Sequence, residues 1–293
     1  MVLCDYFSTV TLPPTAKPYP AVLDFLLLRF PGVPRDRWEL RMAGGKMLDG
    51  DGRPVTAATP YVPGKKIYYC REVDKEPVIP LAEKIVFAND ELLVACKPHF
   101  LPVVPAGPYV NECLLHRLKK STGNTDLVPL HRIDRETAGI VLFSANPRTR
   151  GLYHDLFMHG QVEKIYQAVA ECGHQPADIA WLVENRLVAG HPWFRMESVP
   201  GPANSRSRIR LLERRENRGR FLLQPATGKK HQLRVHMSGL GFRIENDRYY
   251  PELLPAGEDD FHRPLQLLAE MVRFRDPVTA QKMEFASERR LLW

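Results

Sequence analysis

The sequence predicts an α+β protein, with a small N-terminal domain ahead of a larger mixed one, and three observations carry that prediction. Short apolar strand-like runs, Lys84-Ile-Val-Phe87 and Leu92-Leu-Val-Ala95, alternate with helix and hairpin patterns. The polar, proline-containing stretch from Lys75 to Pro80 reads as a linker, which divides the chain into residues 1–75 and 76–293. A chain of 293 residues is long enough for a large domain plus such an appendage.

The first segment has its own pattern. An apolar helical run, Val22-Leu-Asp-Phe-Leu-Leu-Leu28, is broken by Pro-Gly and followed by Arg35-Asp-Arg-Trp38. The glycine-rich turns Gly44-Gly45 and Asp49-Gly-Asp-Gly52 then lead to a strand-like Lys66-Ile-Tyr-Tyr69. Two basic helices and a short hairpin fit this order. It fits equally a cap packed on the main domain.

Beyond the linker, Asn146 can cap a helix whose first turn takes Pro147, and Leu152, Tyr153, Leu156 and Phe157 recur at core-facing spacing. A hairpin is expected from Ser205 to Leu212 and Arg220 to Gln224, joined through Glu216-Asn-Arg-Gly219. Arg206, Arg208 and Arg210 alternate in its first strand and so project from one face. That face suits either a phosphate track or solvated ion pairs with nearby glutamates.

Composition bounds the partners. At 44% hydrophobic and 26% charged residues, the chain has the make-up of an ordinary globular protein. No apolar stretch is long enough to span a bilayer, and the start Met1-Val-Leu-Cys-Asp5 lacks the basic and apolar regions of a signal peptide. A cytoplasmic protein without a membrane partner is expected. The five cysteines, at 4, 70, 96, 113 and 172, are widely spaced and odd in number, which gives neither a disulfide framework nor a CxxC metal site. The net charge of +7 is supplied mainly by arginine, which favours planar contacts with phosphate. On charge alone, nucleic acid and no polyanion ligand are balanced alternatives.

Three segments carry chemistry. His131-Arg-Ile-Asp-Arg-Glu-Thr-Ala-Gly139 precedes a buried-strand run, Ile140-Val-Leu-Phe143, so Asp134 sits at the edge of the core. His131, Arg132 and Arg135 could hold that carboxylate ionised, as a nucleophile or base, if they converge on it. Alone, the segment also reads as a structural Asp–Arg pair in a loop. Lys164-Ile-Tyr-Gln-Ala-Val169 alternates as a strand and puts Lys164, Tyr166 and Ala168 on one face. Tyr166 is there either a half-buried strand residue or a ring and hydroxyl offered to a base.

In the third segment, Thr227-Gly-Lys-Lys-His-Gln-Leu-Arg-Val-His236, a glycine turn enters a short helix ending near Gly239 or Gly241. The spacing places Lys230 and Arg234 on one helical face and Leu233 and Met237 toward the core. It is not a triphosphate-binding loop, because Leu223 stands where the first glycine belongs and Lys229 is followed by lysine.

In order, these segments resemble the motifs of RluA-type pseudouridine synthases: His-Arg-Leu-Asp-Arg before a small residue, glycine and an apolar strand; Lys-x-Tyr; and Thr-Gly-Arg-x-His-Gln-Ile-Arg-x-His. Lys97-Pro98 with Leu101-Pro-Val103 resembles the family's early Lys-Pro strand end, and Leu267-Leu-Ala269 with Phe274-Arg-Asp-Pro277 resembles its C-terminal signature. The order of residues 1–75 is similar to the small ribosomal-protein-like RNA-binding domain that often precedes this catalytic domain, without its usual Val-Asn-Gly turn.

The resemblance implies a curved, largely antiparallel sheet with flanking helices and a central cleft. It implies an isomerase that converts uridine in structured ribosomal or transfer RNA to pseudouridine, with no cofactor and no metal. Asp134 would drive breakage of the glycosidic bond, Tyr166 would lie against the uracil, and Arg234 would orient Asp134. Arg132, Arg135, Lys229, Lys230 and His231 are the expected RNA contacts. Arg132 is also the side chain placed to fill the gap left by an extruded nucleotide. A monomer is the default expectation.

Some residues depart from the family pattern: Cys96, His99-Phe100, Lys229-Lys230 and Asn246-Asp-Arg-Tyr-Tyr-Pro251. They are expected to grip RNA without touching Asp134, Tyr166 or Arg234. The competing reading is a non-catalytic RNA-binding or ribosome-assembly protein on the same scaffold. A glycosidase would need a second carboxylate, and the best, Asp247, has no motif of its own.

Overall fold

The computed structural model describes residues 2–176 and 179–293. Met1, with which both the N-terminal stretch and the segment 1–75 begin, lies outside the described residues. The chain forms two compact units: Met1–Pro77 together with Pro105–Glu112, and Val78–Val104 together with Cys113–Trp293.

The first unit contains β1 (Val2–Leu3), β2 (Ser8–Thr11), α1 (Val22–Arg29), α2 (Arg35–Ala43), β3 (Met47–Asp49), β4 (Lys66–Tyr69) and β5 (Glu72–Val73). Strand β4 pairs antiparallel with both β2 and β3, so the expected hairpin is a three-stranded sheet, extended by Ser8↔Tyr69 through Thr11↔Lys66. Val22, Leu23, Phe25 and Leu26 of α1 pack with Trp38, Met42, Met47 and Ile67. Only α2 is a basic helix, because α1 turns an apolar face inward and carries a single arginine, Arg29. Even on α2, Arg41 is buried and gives its Nε to Glu72 at 2.9 Å. The segment Pro105–Glu112 joins this unit through Glu76, whose Oε1 accepts the backbone N–H groups of Val110, Asn111 and Glu112.

The second unit continues with β6 (Lys84–Ala88), β7 (Leu92–Lys97), α3 (Leu114–Thr122), β8 (Val128–Pro129), β9 (Ala138–Ser144), α4 (Arg150–Met158), β10 (Glu163–Glu171), β11 (Ala180–Ala189), β12 (Met196–Val199), β13 (Ser205–Arg215), β14 (Arg218–Pro225), α5 (Gln232–Gly239), β15 (Leu267–Arg275) and β16 (Lys282–Ala286). Its sheet runs in the order β12-β11-β13-β14-β10-β15-β9-β7-β6, with β16 beside β15 and β8 beside β9. Antiparallel pairing dominates, as an α+β fold requires.

The exception is a short parallel contact between β9 and β15, Leu268↔Ala138 and Ala269↔Gly139. Gly139 has φ +117, and a Cβ there would lie 2.1 Å from the Ala269 carbonyl oxygen. A side chain would force the two strands apart. Gly139→Ala should therefore cost at least about 3 kcal/mol, lowering Tm by roughly 6–12 °C in circular-dichroism melting. An unchanged Tm would mean that the contact contributes nothing.

Sequence periodicity misplaced two details here. Helix α4 begins at Arg150, with Thr149 at its N-cap. Asn146 instead bridges Glu91 and the Arg148 N–H ahead of the helix, so the chain turns before it coils. Leu152 faces solvent, while Tyr153 and Leu156 are buried and Phe157 is partly so. The arginine stripe on β13 is exposed, as the alternation requires. Arg206 pairs there with Glu184 at 3.3 Å, and the connecting turn tightens to Glu216–Asn217 because β14 begins at Arg218.

Candidate active site

The loop between β8 and β9 carries Asp134, whose side chain is 23% exposed. A turn closed by Thr137 N–H to the Asp134 carbonyl, at 3.2 Å, shapes it. Lys97, at the end of β7, is fully buried and holds this loop from below. Its Nζ donates to the carbonyls of Arg135 (3.0 Å), Leu101 (2.6 Å) and Pro98 (2.9 Å). Burial pushes the Lys97 ammonium down to about 7, against the charges of Glu136 and Asp134. Three acceptors for three protons suit the ammonium form.

His131 is part of the scaffold. Its ring stacks on Phe157 at 5.0 Å and its Nε2 accepts the Leu142 N–H at 3.1 Å. Burial pushes its pKa down to about 3, so the imidazole is neutral and cannot hold Asp134 ionised. Nor does Arg135: it forms a bidentate pair with Asp259 at 2.7 and 2.9 Å and covers the Phe100 ring. The positive charge facing Asp134 comes from elsewhere in the chain.

It comes from Arg234 on α5, which is 1% exposed. Its Nε and Nη2 bind Asp247 at 2.8 and 2.6 Å. Its Nη1 lies 3.6 Å from both Asp134 Oδ2 and Glu136 Oε2 and has no hydrogen bond of its own. The guanidinium is thus fixed along one edge, with one donor left toward the two carboxylates. Burial opposes its charge, but the Asp247 hydrogen bond and the surrounding carboxylates raise its pKa further above the usual arginine value. For Asp134 the balance is reversed: burial raises its pKa, only partly offset by Arg234, Lys97 and Lys230.

Tyr166 on β10 packs on the core beside α5. Burial and the Asp134 charge together raise its phenol, so the hydroxyl keeps its proton. The neighbouring Lys164 gives its Nζ to the Thr227 carbonyl, at 3.3 Å, at the turn before α5.

Helix α5 starts later than the spacing predicted. His231 is its N-cap, with φ 53, and the helical residues begin at Gln232. Lys230 therefore precedes the helix and does not share a helical face with Arg234. His231, expected among the RNA contacts, is 7% exposed instead. Its Nε2 is 3.9 Å from Asp134 Oδ1, while Nδ1 meets the Tyr250 hydroxyl at 2.9 Å. Burial and the Arg234 charge push it down to about 3, so its contact with Asp134 is not an ion pair.

The structure also corrects the expectation that residues 246–251 stay clear of the site. Asp247 anchors Arg234, and the guanidinium carbon lies 4.7 Å from the Tyr249 ring centroid and 5.5 Å from that of Tyr250. The pairing of Asp247 with Arg234 is what sequence reasoning missed, since it weighed Asp247 only as a second acid. A buried arginine without a nearby sequence partner was the signal that could have prompted a search for it. Lys229, Lys230 and Arg132 are exposed. Among the described residues, no cluster of histidine, cysteine, aspartate or glutamate is arranged to hold a metal, and no helix is long and apolar enough to cross a membrane.

A loop carboxylate faced by one buried guanidinium that a second carboxylate holds in place defines a class of site, and comparison with known proteins names the class. A sequence profile described as RNA pseudouridylate synthase matches residues 91–239. The chain is 31% identical over 212 residues to the dual-specificity RNA pseudouridine synthase RluA of Haemophilus influenzae, covering 69% of this chain and 90% of that protein. It is 29% identical over 236 residues to an uncharacterised RNA pseudouridine synthase of Synechocystis, covering 78% and 79% respectively. Among solved structures, human RNA pseudouridylate synthase domain containing 1 shares the fold, with a TM-score of 0.58 and 23% identity over 73% of this chain and 86% of that one. The chain belongs to the RNA pseudouridylate synthase family and is of its RluA type, which makes it an isomerase that acts on RNA.

Proposed function

We propose that this protein isomerises specific uridines of structured ribosomal or transfer RNA to pseudouridine, as a cytoplasmic monomer, with Asp134 as its essential catalytic residue. The observation that carries the reading is the buried Arg234 guanidinium, fixed by Asp247 and with its remaining Nη1 aimed 3.6 Å from Asp134 Oδ2. In the reaction the bond between N1 and C1′ breaks, the uracil turns, and C5 joins C1′. A proton leaves C5 and one is gained at N1, so no net proton or electron is consumed.

Each side chain has a task in that sequence. Asp134 acts on the bound uridine as nucleophile or base, and its raised proton affinity suits a carboxylate that must finally accept the C5 proton. Arg234, held by Asp247, keeps the carboxylate oriented without itself giving up a proton. Tyr166 offers its ring to the freed uracil and its hydroxyl as a neutral donor. Arg132 fills the space of the extruded nucleotide, and Lys229 and Lys230 contact phosphate. The first unit adds RNA contacts through the exposed Arg35 and the half-buried Arg37 of α2.

The test is pseudouridine mapping of total RNA from a deletion strain complemented with the parent gene or with Asp134→Asn. A site that vanishes on deletion and returns only with the parent establishes both reaction and substrate. Equal rescue by the mutant would remove Asp134 from the mechanism.

The acid limb of kcat/KM against pH tests the electrostatics. Because burial raises Asp134, activity should already fall at a pH above the ordinary aspartate value of about 3.9. A limb at that ordinary value, in enzyme still folded by circular dichroism, would contradict a desolvated carboxylate.

A further inference from the structure

The β11–β12 hairpin ends in a loop, residues 190–195, closed by the Gly190 N–H to the Arg195 carbonyl at 3.1 Å. At its tip Trp193 is 79% exposed, an unusual position for the largest apolar side chain. Its surroundings are built. Phe194 meets it edge to face at 6.0 Å, and Phe194 in turn lies 5.5 Å from Tyr249, the ring beside Arg234. The Lys230 ammonium stands 5.4 Å from the centroid of the Trp193 ring. That same lysine is near enough to Asp134, Arg234 and Glu136 for their charges to act on it.

The base of the hairpin is fastened to the site as well. The Tyr250 hydroxyl takes the Met196 N–H at 2.7 Å and also meets His231 Nδ1 at 2.9 Å. Arg195 covers the Tyr250 ring and gives Nη2 to the Pro251 carbonyl at 2.9 Å. The tip is therefore held at a set place relative to Asp134, and its exposed indole is backed by aromatic rings and an exposed cation.

We propose that Trp193 is the stacking platform for an unpaired RNA nucleotide next to the target uridine, with Lys230 and Lys229 taking that nucleotide's phosphate. An indole face accepts any base by stacking, and lysines beside it supply the charge that the backbone requires. Because Lys230 stands beside the indole and the ring chain Trp193–Phe194–Tyr249 leads to Arg234, a nucleotide stacked on Trp193 would carry its phosphate toward the mouth of the site. The platform thereby selects RNA whose neighbour of the target is already free of pairing. This rests on the reading of Asp134 as the essential catalytic residue.

The experiment separates binding from chemistry. In an Asp134→Asn background, filter binding of total RNA from the deletion strain is compared for Trp193, Trp193→Ala and Trp193→Phe. Trp193→Ala should weaken binding roughly ten- to hundredfold, with Trp193→Phe recovering most of it. In the active enzyme the same substitution should raise KM by a similar factor and leave kcat within a few fold. Unchanged binding and KM for Trp193→Ala, at an unchanged Tm, would overturn the platform. Failure of the parent to form pseudouridine would instead overturn the catalytic reading, since the binding comparison does not depend on turnover.

Discussion

Replacing Asp134 by asparagine should abolish turnover, by at least about 10³-fold in kcat, while leaving the fold as stable as the parent or more so. The two effects share one cause. Burial raises the folded-state pKa of Asp134, so between the unfolded value and the folded one only the folded protein retains the proton. The contribution of this group to stability is therefore fully present below the unfolded pKa and is lost as pH rises through the folded one. At neutral pH the ionised carboxylate is a net burden on the fold, and asparagine removes it. Parallel measurement of kcat and Tm checks both halves. A large loss of Tm with the loss of activity would show that Asp134 is a structural partner of Arg234 and nothing more.

The second large effect concerns Arg234 and Asp247, both 1% exposed and joined by two hydrogen bonds. Arg234→Met leaves the buried Asp247 carboxylate without its counter-ion and should cost about 3–5 kcal/mol. Asp247 also accepts the backbone N–H groups of Tyr249 and Tyr250, which ties the loss to the segment that shields the guanidinium. Removing both charges, as in Arg234→Met with Asp247→Leu, should recover much of that stability because an apolar pair fills a similar space without desolvating ions. Activity should not return with it, since nothing then orients Asp134. If the double variant regained turnover along with its Tm, the ion pair would be scaffolding rather than a positioning device.

What could be read in the chain and what could not divides along contact range. Asp134, Tyr166 and Arg234 could be named as candidates because each stands in a compact local motif, and the exposed arginines of β13 were legible because strand alternation is local. The pairing of Arg234 with Asp247 was not, because the residues from Leu240 onward that lead to Asp247 form no regular element whose period could predict where Asp247 lies. The role of His131 was misjudged for a related reason. Proximity in sequence put it beside Asp134, yet the ring turns away onto Phe157 and the Leu142 amide. Lys230 was misplaced because the chain passes through a left-handed residue at His231 before coiling. Sequence spacing assumes a helix that has already begun. Arg135 looked available for RNA until Asp259, 124 residues away, claimed it.

The short parallel contact of β9 with β15 also bears on the order in which the surroundings of Asp134 are completed. Ala138 and Gly139, which end the loop bearing Asp134, are braced by Leu268 and Ala269, residues far from them in the chain. Contacts between segments so distant in sequence form late, because the loop they close must be ordered first. Lys97 and the β7–β9 pairing can hold the Asp134 loop earlier, but its brace from β15 forms only when that distant strand docks. The complete setting of Asp134 is thus a property of the assembled sheet and not of the β7–β9 segment alone.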